Sequence, residues 1–300
     1  MARYVYMLCG LSLWLGCGEG PLAVSDTSYE PKLVIEGVLR PGVGVEGIRI
    51  TRNLRVDESI RSSELIPSDV RAAIVDLSNG QSFALKMRST ERVEDRLFSY
   101  EGADLRIVEG GSYALSVEAT VEGQTLRTYA VTTVPEAGFR IVSLSDEELP
   151  YRPLDERGEP MHFSLDIARS PSSDFYLITA RPRVATSANF IYDNPFTQQS
   201  RASVERDLTD FNFRWDWIQN TPSGPGLSTI KLLWFYLWFY GEYDIVVYAA
   251  DEQYARFIQT HDRVQEADGN FHSAAFSIEG DGIGYFGSAL VDSVQLRVLR

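Results

Sequence analysis

"GDGIGYFG", Gly280–Gly287, separates two fold classes. Within it Gly282, Gly284 and Gly287 spell G-x-G-x-x-G. That spacing can bring a strand-to-helix turn against a pyrophosphate, and it then belongs to an α/β fold with a parallel sheet. The chemistry needs a helix opening at the third glycine and a further strand within roughly thirty residues. Only Ser288–Arg300 follow Gly287, and "SALVDSVQLRVL" (Ser288–Leu299) is too short to supply both. Nucleotide binding is therefore rejected. The glycines read instead as a shaped loop between a strand ending near Ile278 and one starting near Asp292. Glycine lets another backbone or a ligand approach closely. Such a loop carries Tyr285 and Phe286 either beneath a sheet or at a surface.

Upstream of this loop the hydrophobic pattern has period two. "KLVIEGVL" (Lys32–Leu39), "GIRITR" (Gly47–Arg52), "RAAIVDL" (Arg71–Leu77), "QSFALKM" (Gln81–Met87), "SYALSVEAT" (Ser112–Thr120) and "QTLRTYAVTTV" (Gln124–Val134) read as strands. Asn79-Gly80 and Glu122-Gly123 sit where hairpin turns are needed. The fold class expected is all-β: an immunoglobulin-like or prealbumin-like sandwich over 32–145, then a second β-rich domain over 161–300. The charged, proline-rich "SDEELPYRPLDERGEP" (Ser145–Pro160) places a linker at 146–160. "HFSLDIA" (His162–Ala168), "DFYLITARP" (Asp174–Pro182) and "EYDIVVYAA" (Glu242–Ala250) continue the strands. Asp193–Ser228 reads as a long polar connection. One short helix is expected, "DEQYARFIQTHDRVQ" (Asp251–Gln265), with Tyr254, Phe257, Ile258, His261 and Val264 at helical spacing. His261 reads as a packed residue on that stripe.

The chain has 300 residues, a formal net charge of -14 and two cysteines. The acidic balance repels phosphate backbones, so nucleic acid is not an expected partner. The N-terminal "MARYVYMLCGLSLWLGCGEG" carries Arg3, then an apolar run from Val5 to Leu15. That run falls short of the roughly twenty residues of a spanning helix and suits a signal-peptide core. Gly16-Cys17 closes it in the manner of a bacterial lipobox, although Trp14 and Leu15 depart from the usual residues. Residues 1–16 then read as a lipoprotein signal peptide and 17–31 as a tether acylated at Cys17. Cys9 leaves with the signal, so no disulfide is available to the mature chain.

Catalytic signatures are sparse. His162, His261 and His272 are scattered, and neither H-E-x-x-H, G-x-S-x-G nor a phosphate-binding loop occurs. No metal and no cofactor is expected. A hydrolase built on two carboxylates needs a spatial pairing that a sequence does not display.

Two aromatic stretches stand out. "FNFRWDW" (Phe211–Trp217) places Phe211, Phe213, Trp215 and Trp217 on one strand face, and "WFYLWFY" (Trp234–Tyr240) places Trp234, Tyr236, Trp238 and Tyr240 on one face. They form either a sandwich core or a surface for a protein partner or a glycan. The candidate partner or ligand residues are Trp215, Trp217, Trp234, Tyr236, Trp238, Tyr240, Tyr285 and Phe286.

"YEPKLVIEGVL" (Tyr29–Leu39), "GGSYALSVEATVEGQTLRTYAVTTVP" (Gly110–Pro135), "DEQYARFIQ" (Asp251–Gln259) and "FSIEGDGIGYFGS" (Phe276–Ser288) together resemble one family, the Bacteroidota outer-membrane lipoproteins of domain of unknown function 4249. The resemblance covers about residues 29–290. In its closing block Ser277 replaces the usual Asn and one glycine is shifted, and 193–228 matches poorly. The resemblance implies an N-terminal immunoglobulin-like domain, an outer-membrane location and a TonB-dependent transporter as partner. It implies no activity. The expected function is thus a non-enzymatic, lipid-anchored, surface-facing accessory to such a transporter, binding cargo or capping the pore. The alternatives are a glycan-binding module and, behind it, a carboxylate hydrolase.

Overall fold

The glycine-rich stretch is not a loop. Gly282–Leu299 is one continuous eighteen-residue strand, and it organises the molecule. The computed structural model describes residues 29–55, 58–59, 61–88, 90, 96–195, 199–210, 215–261 and 273–300. Pro31–Arg300 is one compact unit. Cys17 and most of the tether lie outside the described residues, as do Phe211 and Phe213.

In chain order the strands are β1 (Leu33–Leu39), β2 (Arg49–Arg52), β3 (Ser68–Asp76), β4 (Gln81–Ala84), β5 (Lys86–Met87), β6 (Phe98–Ser99), β7 (Ser112–Val121), β8 (Gln124–Thr133), β9 (Arg140–Leu144), β10 (Glu148–Pro150), β11 (His162–Ala168), β12 (Phe175–Pro182), β13 (Trp215–Asn220), β14 (Leu227–Leu233), β15 (Gly241–Ala250), β16 (Glu279–Gly280) and β17 (Gly282–Leu299). Helix α1 (Arg201–Asp210) precedes β13, and α2 (Glu252–His261) follows β15. The class is all-β, as expected. The second helix was not: α1 falls inside the stretch read as a polar connection, where, among the described side chains, Val204 and Leu208 turn towards the core. Two large apolar residues in ten give too weak a stripe for the helical period to be read.

The largest sheet runs β13-β12-β15-β17-β1-β2, with β10 also paired to β17. A five-stranded sheet runs β16-β8-β7-β3-β4, and a three-stranded one β14-β11-β9. β1 lies parallel to the first part of β17, from Leu33↔Gly282 to Leu39↔Ser288. The remainder of β17 runs antiparallel to β15, from Ala250↔Ala289 to Gly241↔Val298. Strands from 32–145 and from 161–300 therefore share one sheet, and 146–160 contributes β10 to it rather than a free linker. The charge and prolines of 146–160 describe exposure, but they do not report that a strand end can pair there.

Alternation explains the layers. In β1, Leu33, Ile35, Gly37 and Leu39 are buried while Val34, Glu36 and Val38 are half-buried. In β8, Leu126, Thr128, Ala130 and Thr132 turn in and their neighbours face out. Leu33, Ile35 and Ile50 of the large sheet, Ile74, Leu115 and Val117 of the five-stranded sheet, and Leu165, Ile167 and Ile230 of the three-stranded sheet belong to one continuous buried cluster. The two hairpins form where turn chemistry put them. Glu122 and Gly123 both have positive φ, 49° and 79°, as a tight two-residue turn between β7 and β8 requires. At the β3–β4 turn the Asp76 carbonyl accepts from the Gly80 N–H at 2.7 Å.

The aromatic run Trp234–Tyr240 is not a strand. β14 ends at Leu233, and Trp234–Tyr236 forms a single 3-10 turn closed by the Leu237 N–H on the Trp234 carbonyl at 2.9 Å. The chain here crosses from the three-stranded sheet to the large one. A period-two pattern cannot reveal such a corner when both faces are apolar.

Gly284 is required by the parallel seam. Its φ is +108°, and a β-carbon there would overlap the carbonyl oxygen of Ile35 on β1. Backbone cannot rotate away as a side-chain tip can. Gly284→Ala is expected to cost at least about 3 kcal/mol, measured as the loss in urea unfolding free energy; a loss under about 1 kcal/mol would contradict this account of the seam.

Candidate functional site

Helix α2 is seated on the outer face of β17 by two features. The first is Gly287: a β-carbon there would stand 2.7 Å from Cβ of Tyr254 and 2.8 Å from Oδ1 of Asp251. The third glycine of the G-x-G-x-x-G run thus does make room for a helix N-terminus, but for one that precedes it in sequence. The second is Asp251 at the N-cap. Its Oδ1 accepts from the Tyr254 N–H at 2.9 Å, an orphan donor of the first turn. Its Oδ2 accepts from the Thr132 hydroxyl of β8 at 2.5 Å, and Thr132 Oγ1 is 2.8 Å from Ser288 Oγ of β17. Asp251 is only 6% exposed. Burial pushes its carboxyl above the usual range, against the hydrogen bonds from Thr132, Tyr254 and Ser288 that favour the ion.

So placed, α2 lays Tyr254 and Phe257 against Tyr285. The ring centroids of Phe257 and Tyr285 are 4.2 Å apart at 27°, and those of Tyr254 and Tyr285 5.5 Å apart at 22°. Burial, with the Glu36 carboxylate adding to it, pushes the Tyr285 phenol up to about 12, so it stays a neutral donor. Beside this stack lies a groove of about 300 Å³. Tyr248, Tyr254 and Tyr285 line it together with Glu36, Arg40, Glu46 and Arg49. The register builds its floor. Glu36 is opposite Tyr285 on one side and Arg49 on the other, so these three stand in a row across β2, β1 and β17. Glu36 and Arg49 approach to 3.6 Å, each side chain 45% exposed. Two wider depressions, about 490 and 370 Å³, flank the first turn of α2, and both are lined by Ser172, Asp251 and Glu252. They hold no comparable convergence of rings with charges. Among the described residues no cluster of three or more His, Cys, Asp or Glu side chains is placed to hold a metal ion.

The residues singled out from the sequence divide. Tyr285 lines the groove, half-buried, whereas Phe286 points the other way and is fully buried. Trp234 is 4% exposed and packs edge-on against Phe163 at 5.9 Å and Tyr151 at 6.3 Å. Neither Phe286 nor Trp234 presents a surface to a partner. Trp217 of β13 meets Tyr236 edge-on at 5.4 Å, and both are half-buried. Trp238 is half-buried against the core. Tyr240 packs on Tyr151 at 6.0 Å under the Arg300 guanidinium at 5.4 Å. The side chain of Trp215 lies outside the described residues. The aromatic run therefore mostly seals the corner between sheets, and of the described candidate side chains only Tyr285 reaches the groove. His261 is exposed at the last turn of α2, its ring 5.0 Å from Phe257. Glu36, Arg49 and Tyr248 carry no sequence signal of their own, and Tyr254 stands in the sequence only as part of the helical stripe of α2. They are scattered along the chain, and the pairing of β1 with β17, of β1 with β2 and of β15 with β17, with α2 laid on β17, assembles them.

The family model described as Domain of unknown function (DUF4249) matches residues 21–295. The chain belongs to this family. No curated protein matches it. Among solved structures, a DUF4785 family protein from Legionella pneumophila is 12% identical, with 71% of this chain and 51% of that chain covered and a TM-score of 0.23. The DUF4249 chain thus spans about half the length of that protein.

Asp251 offers a check on the seating of α2. Its native carboxyl titrates above the unfolded value of about 4, so the native state binds the proton more tightly. The contribution of Asp251 to stability therefore falls as pH rises through about 4 and levels off once the native carboxyl has ionised. Asp251→Asn retains the N-cap acceptor and is expected to lose that fall, so that its urea midpoint gains on that of wild type as pH rises from about 4. Asp251→Ala removes the cap and one of the two partners of the Thr132 hydroxyl, which keeps Ser288, at about 1–3 kcal/mol. An Asn variant with the wild-type pH slope would remove Asp251 as the source.

Proposed function

We propose that the protein is a non-enzymatic lipoprotein of the outer membrane, anchored through Cys17 and facing the cell surface, where it serves as an accessory to a TonB-dependent transporter. It would hold cargo near the pore or cap it. The observation that carries this reading is the apolar run Val5–Leu15 closing on Gly16-Cys17. A thioether-linked diacylglycerol plus an acyl chain on the freed amine anchors stably, where one chain would not. Membership of the family over residues 21–295 supports it, through the outer-membrane context that its sequence blocks implied. The acidic chain, at net charge -14, argues against an electrostatic hold on anionic lipid and for a covalent one.

Metabolic labelling with an alkynyl fatty acid, followed by affinity purification from solubilised outer membrane, tests both parts. Wild type is expected to carry label and to co-purify with a transporter of the TonB-dependent class. Cys17→Ser is expected to lose the label and most of the transporter. Equal labelling of both chains would overturn the anchor, and recovery of a labelled protein alone would overturn the transporter role.

A further inference from the structure

We propose that the groove between α2 and the β2-β1-β17 face is a binding site for a neutral saccharide of one or two rings, with Tyr248 and Tyr254 offering aromatic surface and Glu36 and Arg49 engaging ring hydroxyls. The inference goes beyond the transporter reading and does not rest on it.

The chemistry of the lining selects the ligand class. Among the described residues, two carboxylates, Glu36 and Glu46, line the groove together with two guanidinium groups, Arg40 and Arg49. The groove is thus balanced in formal charge, although the chain as a whole carries -14. An anion placed here meets Glu36 and Glu46, and a cation meets Arg40 and Arg49; neither is favoured. An apolar ligand would strip water from all four charges without replacing its hydrogen bonds. A polyhydroxylated ring suits both halves of the lining. Its hydroxyls donate to carboxylates and accept from guanidinium groups, and its C–H faces lie on phenol rings.

Energetics and shape agree. The Glu36–Arg49 pair is about half exposed and 3.6 Å apart; such a pair contributes little to folding. It can turn to a ligand at little cost to the fold. The rings are already positioned, because Tyr254 and Tyr285 are locked by stacking and by the N-cap of α2. A rigid site loses less entropy on binding. A volume of about 300 Å³ is at the small end of the roughly 300–1,000 Å³ usual for ligand sites. A peptide fits less well. The floor is a sheet face, where β1 is hydrogen-bonded on both sides by β2 and β17 and Ile48, just before β2, is bridged to Phe98, so the floor strand β1 offers no backbone edge for strand addition.

The test uses the full-length chain in detergent, with maltose, cellobiose, laminaribiose, xylobiose and diacetylchitobiose as probes. Binding is read by saturation-transfer-difference NMR and calorimetry. At least one disaccharide is expected to bind at about 10 mM or below. Tyr248→Ala is expected to weaken it about tenfold, the size of one aromatic contact. Glu36→Gln is expected to weaken it by a similar factor. Ile218→Ala, on the far edge strand β13, is expected to leave it unchanged. Tyr248 and Glu36 are half-buried, so near-wild-type melting temperatures confirm that the fold persists; Arg49→Gln serves as a further variant should either fail to fold. No binding by any of the five sugars would overturn the proposal. So would binding indifferent to all groove variants, or capture of a peptide pool in the groove in preference to the sugars.

Discussion

The parallel contact between β1 and β17 is the constraint on which the rest depends. It joins the first described strand of the compact unit to the last. It works only because Gly284 adopts a φ of +108° beneath the Ile35 carbonyl. From this seam three things follow. The large sheet becomes continuous across both halves of the chain. Glu36 comes to stand opposite Tyr285. Gly287 is left open on the outer face for α2. Closing so long a loop is affordable at equilibrium, because loop entropy grows only with the logarithm of length. It is a burden on rate, since non-local pairing must be found before it is rewarded.

Much of the fold was legible, and the reasons are local. Alternation over 32–39, 112–120 and 162–168 marks strands because one face of each is buried and the other is not. The turns at Asn79-Gly80 and Glu122-Gly123 are legible because few residues tolerate the backbone they need. Two misreadings share a different cause. Gly280–Gly287 read as a loop because glycine-rich strands are rare, and the close approach that makes glycine necessary here comes from strand β1, hundreds of residues away. Trp234–Tyr240 read as a strand because a corner packed on both sides keeps an apolar residue at every position. The boundary at 146–160 failed for the same reason as the loop: pairing of β10 with β17 is a long-range fact.

The site was less legible than the fold. Of the aromatic residues chosen from the sequence, Trp234 and Phe286 proved to be core. Size and rarity made them conspicuous, and large apolar residues are conspicuous chiefly because cores need them. The groove residues are ordinary by type. A half-buried glutamate, an exposed arginine and two tyrosines acquire meaning only through register, and a slip of one residue between β1 and β17 would turn Glu36 away from Tyr285 altogether.

That dependence gives the molecule a definite logic. Glu36 and Arg49 come from its first two strands, while Tyr248, Tyr254 and Tyr285 come from β15, α2 and β17. The groove exists only once the chain has closed on itself, so a partly folded protein lacks it. Damage to the seam, through Gly284 or the packing behind Phe286, removes stability and groove together. Damage to the half-exposed floor removes recognition and leaves the seam intact, because the Glu36–Arg49 pair contributes little to folding. Structure and recognition therefore sit on opposite faces of the same three strands: the inward face carries Leu33, Ile35 and Phe286 into the core, and the outward face carries Glu36, Arg49 and Tyr285 to the groove.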